Sequence, residues 1–196
     1  MPAPLDFYFD TASFYRYFAS MKIEALAAKC GRTVNWRAFP LGAAYKADHE
    51  LEPLTLPMKG VYIERSARFY GIAYRYPSRF PISGVVPERA FYWTHDRDPA
   101  PAKKLAQAHY HAYFVLDRDI SQQDVTADVT ATLGVKRDEA LAALNDVAVK
   151  TRFREEVDTA IKRGVFGSPY VMVDGEPFWG VDRFDQIERW LAHGPF

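Results

Sequence analysis

The spacing of apolar residues changes period twice along this chain, and that change constrains the fold more than any other feature. Leu5 to Phe9 is short, aromatic-rich and bounded by Pro4 and Asp10, a pattern that predicts a buried strand. From Phe14 the recurrence at three and four residues (Phe14, Tyr17, Phe18, Met21, Ala25) predicts an amphipathic helix, with Gly31 placed to stop it. Thr33 to Phe39, carrying Val34, Trp36 and Phe39 ahead of Pro40, predicts a second strand. The chain therefore opens as a βαβ unit.

Strand character returns only after Gly164. Tyr170 to Val173 reads as a strand, Asp174-Gly175 as a two-residue hairpin turn, and Pro177-Phe178-Trp179 as the antiparallel return. Phe184, Ile187, Trp190 and Leu191 then share one face of a last helix. Between the two ends, Pro40 to Pro57 reads as a loop and Gly71 to Pro87 as irregular. Helical spacing covers Pro57–Tyr70, Pro87–His95, Pro99–Leu116, Ser121–Leu133 and Asp138–Arg163, the last expected to break near Thr151. This order predicts an α/β thioredoxin-like fold split by an all-helical insertion, with residues 1–42 and 165–196 forming one discontinuous domain and 43–164 the insertion.

Composition narrows the function. The chain has 25 Lys and Arg against 25 Asp and Glu, so it lacks the excess of cations from which nucleic-acid affinity usually comes. Its single cysteine, Cys30, cannot form an intrachain disulfide, and no C-x-x-C pair exists; dithiol exchange and a multi-Cys zinc site are both excluded. Cys30 falls near the C-terminal end of the first helix and is expected to be a buried structural thiol. His109 and His111 point to different faces of a helix, so no metal site is expected. The N-terminal segment has no basic n-region, and no run approaches the roughly 18 apolar residues of a spanning helix. A cytoplasmic protein without a membrane partner is the expectation.

Several segments resemble one family. Asp6-Phe-Tyr-Phe-Asp10-Thr-Ala-Ser13-Phe-Tyr-Arg-Tyr17 is similar to the start of the DsbA-like thioredoxin branch that holds 2-hydroxychromene-2-carboxylate isomerase and kappa-class glutathione transferase. In that branch serine replaces the redox cysteine, and Ser13 stands at that position. Val165-Phe-Gly-Ser168-Pro169 resembles the family's cis-proline loop, and Trp179-Gly180-Val181-Asp182-Arg183 resembles its glutathione-contacting W-G-x-D-R motif. Tyr70-Gly71-Ile72 fits as well. The resemblance implies glutathione as cofactor, a small aromatic substrate and a homodimer.

Each residue also has a plainer reading. Ser13 precedes an apolar helical stripe and is a candidate N-cap; under the resemblance it is the catalytic residue, its hydroxyl donating to a glutathione thiolate. Ser168-Pro169 is either a strand-initiating proline or a cis bond exposing the Ser168 backbone to glutathione, leaving the Ser168 side chain free to vary. Asp182 is either the cap of the last helix or, with Gly180, Val181 and Arg183, a holder of the γ-glutamyl end; Trp179 is expected to pack. On the substrate side the resemblance suggests Lys46, with Lys59, Arg65, Arg75 and Arg79 as rivals, and Phe80 stands where the isomerases carry a tyrosine. No counterpart of the isomerases' asparagine-arginine pair lies between Lys46 and Lys59. The reaction implied is thiolate addition, ring opening, rotation and elimination. A kappa-type transferase conjugating an electrophile, or a non-catalytic thioredoxin-fold binding module, are the alternatives.

Overall fold

The computed structural model describes residues 2–40, 42 and 57–196. Its sheet has four strands in the order β2-β1-β3-β4: β1 is Leu5–Phe9, β2 Val34–Ala38, β3 Tyr170–Val173 and β4 Glu176–Trp179. β1 and β2 run parallel with Phe7 opposite Trp36, and backbone bonds Leu5 N to Thr33 O (2.8 Å) and Phe39 N to Phe9 O (2.6 Å) extend the ladder to the full predicted Thr33–Phe39 span. β3 lies antiparallel to both β1 and β4. The β3–β4 turn has positive φ at both Asp174 (52°) and Gly175 (96°), the geometry for which an Asp-Gly pair is suited.

The predicted first helix is two helices, α1 (Phe14–Ser20) and α2 (Ile23–Lys29). Ser20 Oγ donates back to the Tyr17 carbonyl (2.7 Å), a bond that competes with the helix ladder where the chain bends. The bend brings Ile23 and Ala27 into the core and leaves Met21 and Ala25 of the expected stripe exposed. Cys30, at the end of α2, is half-buried rather than buried.

The middle of the chain holds α3 (Pro57–Tyr70), α4 (Val85–His95), α5 (Pro99–Phe114), α6 (Gln123–Ala131), α7 (Arg137–Asn145) and α8 (Val147–Lys162). The break between α7 and α8 falls at Asp146, not near Thr151. Asp146 has an extended backbone (φ −60°, ψ 132°), and its carboxylate accepts from Ala148 N (2.7 Å), so it ends one helix and caps the next. The irregular stretch before α4 is tied down by hydroxyls: Tyr17 donates to the Ala73 carbonyl (3.1 Å) and Tyr113 to the Arg79 carbonyl (2.8 Å).

One apolar cluster joins sheet and helices. Phe9 meets Trp36, Phe91 and Tyr110, and Tyr17 stacks on Tyr110 and Phe114. The chain ends with a 3₁₀ turn (Val181–Arg183) and α9 (Phe184–His193). No helix among the described residues is long and apolar enough to cross a membrane.

Candidate active site

Six of the residues singled out in the sequence converge. Ser168, Pro169, Gly180, Val181, Asp182 and Arg183 line one open cavity of about 480 Å³, within the roughly 300–1,000 Å³ typical of small-molecule sites. They come from two segments: the peptide that starts β3, where Ser168-Pro169 is cis, and the turn that follows β4. A backbone bond from Gly180 N to the Pro169 carbonyl (3.0 Å) joins the two.

Gly180 makes the second segment possible. Its φ of 111° suits glycine alone, and a Cβ there would occupy the place of the Asp182 carboxylate. The turn delays α9, whose N-cap is Arg183 without a side-chain hydrogen bond, so Asp182 does not cap it. Asp182 instead pairs loosely with Arg183 (3.4 Å), and both stay largely exposed. A carboxylate and a guanidinium thus stand side by side at the cavity wall.

Ser13 lies at the N-cap position of α1 (φ −132°, ψ 132°), and its side chain makes no capping hydrogen bond. The hydroxyl of this nearly buried residue is therefore not committed to its own helix. α1 packs on the 3₁₀ turn, and Tyr15, two residues after Ser13, is part of the cavity lining. Ser168 departs from expectation in its side chain, which is buried and donates from Oγ to the Tyr8 carbonyl (3.0 Å).

Four lining residues were not read from the sequence as contacts: Tyr15, Ser66, Tyr70 and Trp179. Ser66 and Tyr70 are i and i+4 on α3, a spacing that puts both on one face of a predicted helix. Trp179, expected to pack, is 57% exposed; the β4 pleat turns Phe178 inward and leaves the indole beside Phe166, 5.2 Å between centroids. Burial, then the Asp182 charge, pushes the Tyr15 and Tyr70 hydroxyls above the ordinary tyrosine range, so both remain donors at neutral pH.

The turn that presents Ser13 rests on two buried carboxyls. Asp10 Oδ1 accepts from Ala12 N (2.8 Å), and Glu88 Oε1, from α4, accepts from Thr11 N (3.3 Å). Burial and the neighbouring Asp10 charge hold the Glu88 pKa well above the carboxylate range. Tyr110 closes the support from below, its hydroxyl donating to the Asp10 carbonyl (3.1 Å).

On the substrate side, Lys46 lies outside the described residues, as does the side chain of Lys59. Arg75 and Arg79 pair with Asp117 and Asp119 (3.3 and 3.0 Å). Phe80 packs at a tilt between Phe14 and Tyr76, its centroid 5.7 Å from Phe14 directly after Ser13.

This sheet order, the cis-proline strand and the helix launched beside them are those of a thioredoxin-like domain, and the chain belongs to the DSBA-like thioredoxin domain family, whose model matches residues 4–192. Within that family it is similar to glutathione S-transferase kappa 2 of Caenorhabditis elegans, 28% identical over 97% of this chain and 92% of the relative. It is similar as well to 2-hydroxychromene-2-carboxylate isomerase of Sphingobium xenophagum, 27% identical over 97% of this chain and 99% of the relative. A solved structure of a 2-hydroxychromene-2-carboxylate isomerase superposes with a TM-score of 0.85 at 26% identity, covering 96% of this chain and 94% of that one.

Proposed function

We propose that the protein is a glutathione-dependent isomerase of an aromatic 2-hydroxychromene-2-carboxylate-type substrate, with Ser13 as the catalytic residue. The observation that carries this reading is the convergence of Ser168, Pro169 and Gly180 to Arg183 in one cavity that Tyr15 also lines, two residues after a serine whose hydroxyl its own helix leaves uncommitted. The cavity wall fits glutathione chemically: Asp182 can meet an ammonium and Arg183 a carboxylate, while Tyr15 and Tyr70 offer hydroxyl donors.

Bound glutathione would supply a thiolate that adds to the substrate and is later eliminated, so that it is regenerated in each turnover. The protein's part is to hold that sulfur near the Ser13 hydroxyl, which donates to it. A hydrogen bond to a charged acceptor is worth about 1.5–3 kcal/mol, equivalent to about one to two pKa units. Glutathione titrations followed by thiolate absorbance against pH should therefore show a depressed thiol pKa in wild type and a value about one to two units higher in Ser13→Ala. Loss of binding at millimolar glutathione in the wild type would overturn the reading.

The likeness to a kappa-class transferase supports a second reading, conjugation of glutathione to an electrophile at the same site. Product analysis separates the two: an isomer with glutathione unconsumed, or a thioether with glutathione lost.

A further inference from the structure

A second cavity, of about 580 Å³, opens next to the same turn: Asp10 is in its lining, as Tyr15 is in that of the first, and Ser13 stands between those two in the chain. Its walls come from α4 and α8 and from the segment that carries Ile82. On α8 the lining residues are Lys150, Phe153, Arg154 and Val157, the i, i+3, i+4, i+7 positions of one helix face. That face therefore presents two cations alternating with two apolar side chains. Arg89 of α4 adds a third cation, its guanidinium 6.0 Å from the Phe153 ring centroid.

Among the described residues, none of these three cations has a salt bridge, and Arg89 Nε is buried without a hydrogen-bond partner. Neighbouring arginines behave differently. Arg152, on the same helix, bonds both Asp96 (3.1 Å) and Glu156 (2.6 Å). Arg37 is paired with Asp6 and Glu156. The desolvation of Arg89, added to the field of Arg154, lowers its pKa. Like charges brought together over an apolar floor are costly without an anion to separate them. The one carboxylate among the described lining residues does not serve: Asp10 Oδ1 already accepts from the Ala12 N–H (2.8 Å).

We infer that this cavity binds an organic acid, its carboxylate received by Arg89, Arg154 and Lys150 and its apolar body laid against Phe153, Val157 and Ile82. As an account of the second reactant the inference rests on the glutathione reading, since it places an aromatic acid beside the Ser13 turn. As a binding site it stands alone.

Isothermal titration with trans-cinnamate, without glutathione, tests it. The wild type should bind cinnamate, and removing one charge-assisted partner in Arg89→Gln or Arg154→Gln should weaken binding about 10- to 100-fold. Cinnamyl alcohol, which keeps the body and lacks the charge, should bind weakly to all three proteins, and sulfate, which lacks the body, more weakly than cinnamate. Arg154 and Lys150 lie toward solvent, so Arg154→Gln and Lys150→Gln keep the test open should Arg89→Gln fold poorly. Equal cinnamate affinity in wild type and the Arg89→Gln/Arg154→Gln double variant, binding lost only in Lys46→Gln, or no binding at millimolar cinnamate would each overturn the inference. A glutathione titration of the same variants separates the two proposals: intact glutathione binding with lost cinnamate binding is expected, whereas absent glutathione binding in the wild type sinks only the cofactor reading.

Discussion

Replacing Gly84 by alanine should loosen the support beneath Ser13 without touching Ser13 itself. Gly84 precedes α4 with an ordinary φ of −78°, so its role is space rather than backbone freedom. A Cβ at this position would lie 2.6 Å from Asp10 Oδ1 and 2.7 Å from Glu88 Oε1. Those are the two oxygens that accept the Ala12 and Thr11 N–H groups. Glu88 is fully buried and Asp10 nearly so, and each of these oxygens is already held by a turn N–H, so neither carboxyl can shift without giving up that bond. Overpacking of this kind costs about 1–3 kcal/mol, and weakening the two turn hydrogen bonds adds about 0.5–1.5 kcal/mol each. The expected loss for Gly84→Ala is therefore about 2–6 kcal/mol, read as a lower urea midpoint with an unchanged m-value. Shortening one colliding partner provides a check on the cause. In the double variant with Glu88→Ala, the two costs should be sub-additive by more than about 0.5 kcal/mol, since they act on one contact. A Gly84→Ala protein within about 0.5 kcal/mol of wild type, in the range of an ordinary surface change, would refute the claim that close approach of the carboxyl pair holds the turn.

Two further outcomes concern pH. His109, fully buried on α5, has its pKa pushed down to about 3 by burial, so the folded protein keeps it neutral where the unfolded chain protonates it. The unfolded state then binds more protons below pH about 6.5, and this residue should remove about 1.4 kcal/mol of stability per pH unit as pH falls from there toward 3; His109→Leu should lack that component of the slope in denaturant titrations. Glu88 acts with the opposite sign: its raised pKa makes its contribution complete below the unfolded value of about 4.3 and lost as pH rises through the folded one. Glu88→Gln, which mimics the protonated form, should gain on wild type with rising pH in the same titrations, and parallel curves for the two proteins would refute the protonated assignment.

What could be read from the sequence and what could not divide along a physical line. The strands, the Asp174-Gly175 turn and most helix spans are set by periodicity and by residues acting on their own backbone, which a linear text records. Even the misplaced break had a local signal, because Asp146 caps α8 by the rule that was applied elsewhere in the chain. The groups that support the Ser13 turn and line the second cavity are different in kind. Glu88 in a helical segment reads as a solvated acid until Thr11, 77 positions away, is brought to its carboxylate. Arg89 and Arg154 read as surface cations until α4 packs on α8 and turns both toward one space. In each case the informative quantity is which groups the packing brings to the side chain, and that is a property of tertiary neighbours. For the same reason resemblance could point to the residues proposed for glutathione, which lie in contiguous motifs, while the proposed acid-binding face is spread over two helices and takes shape only in the tertiary packing.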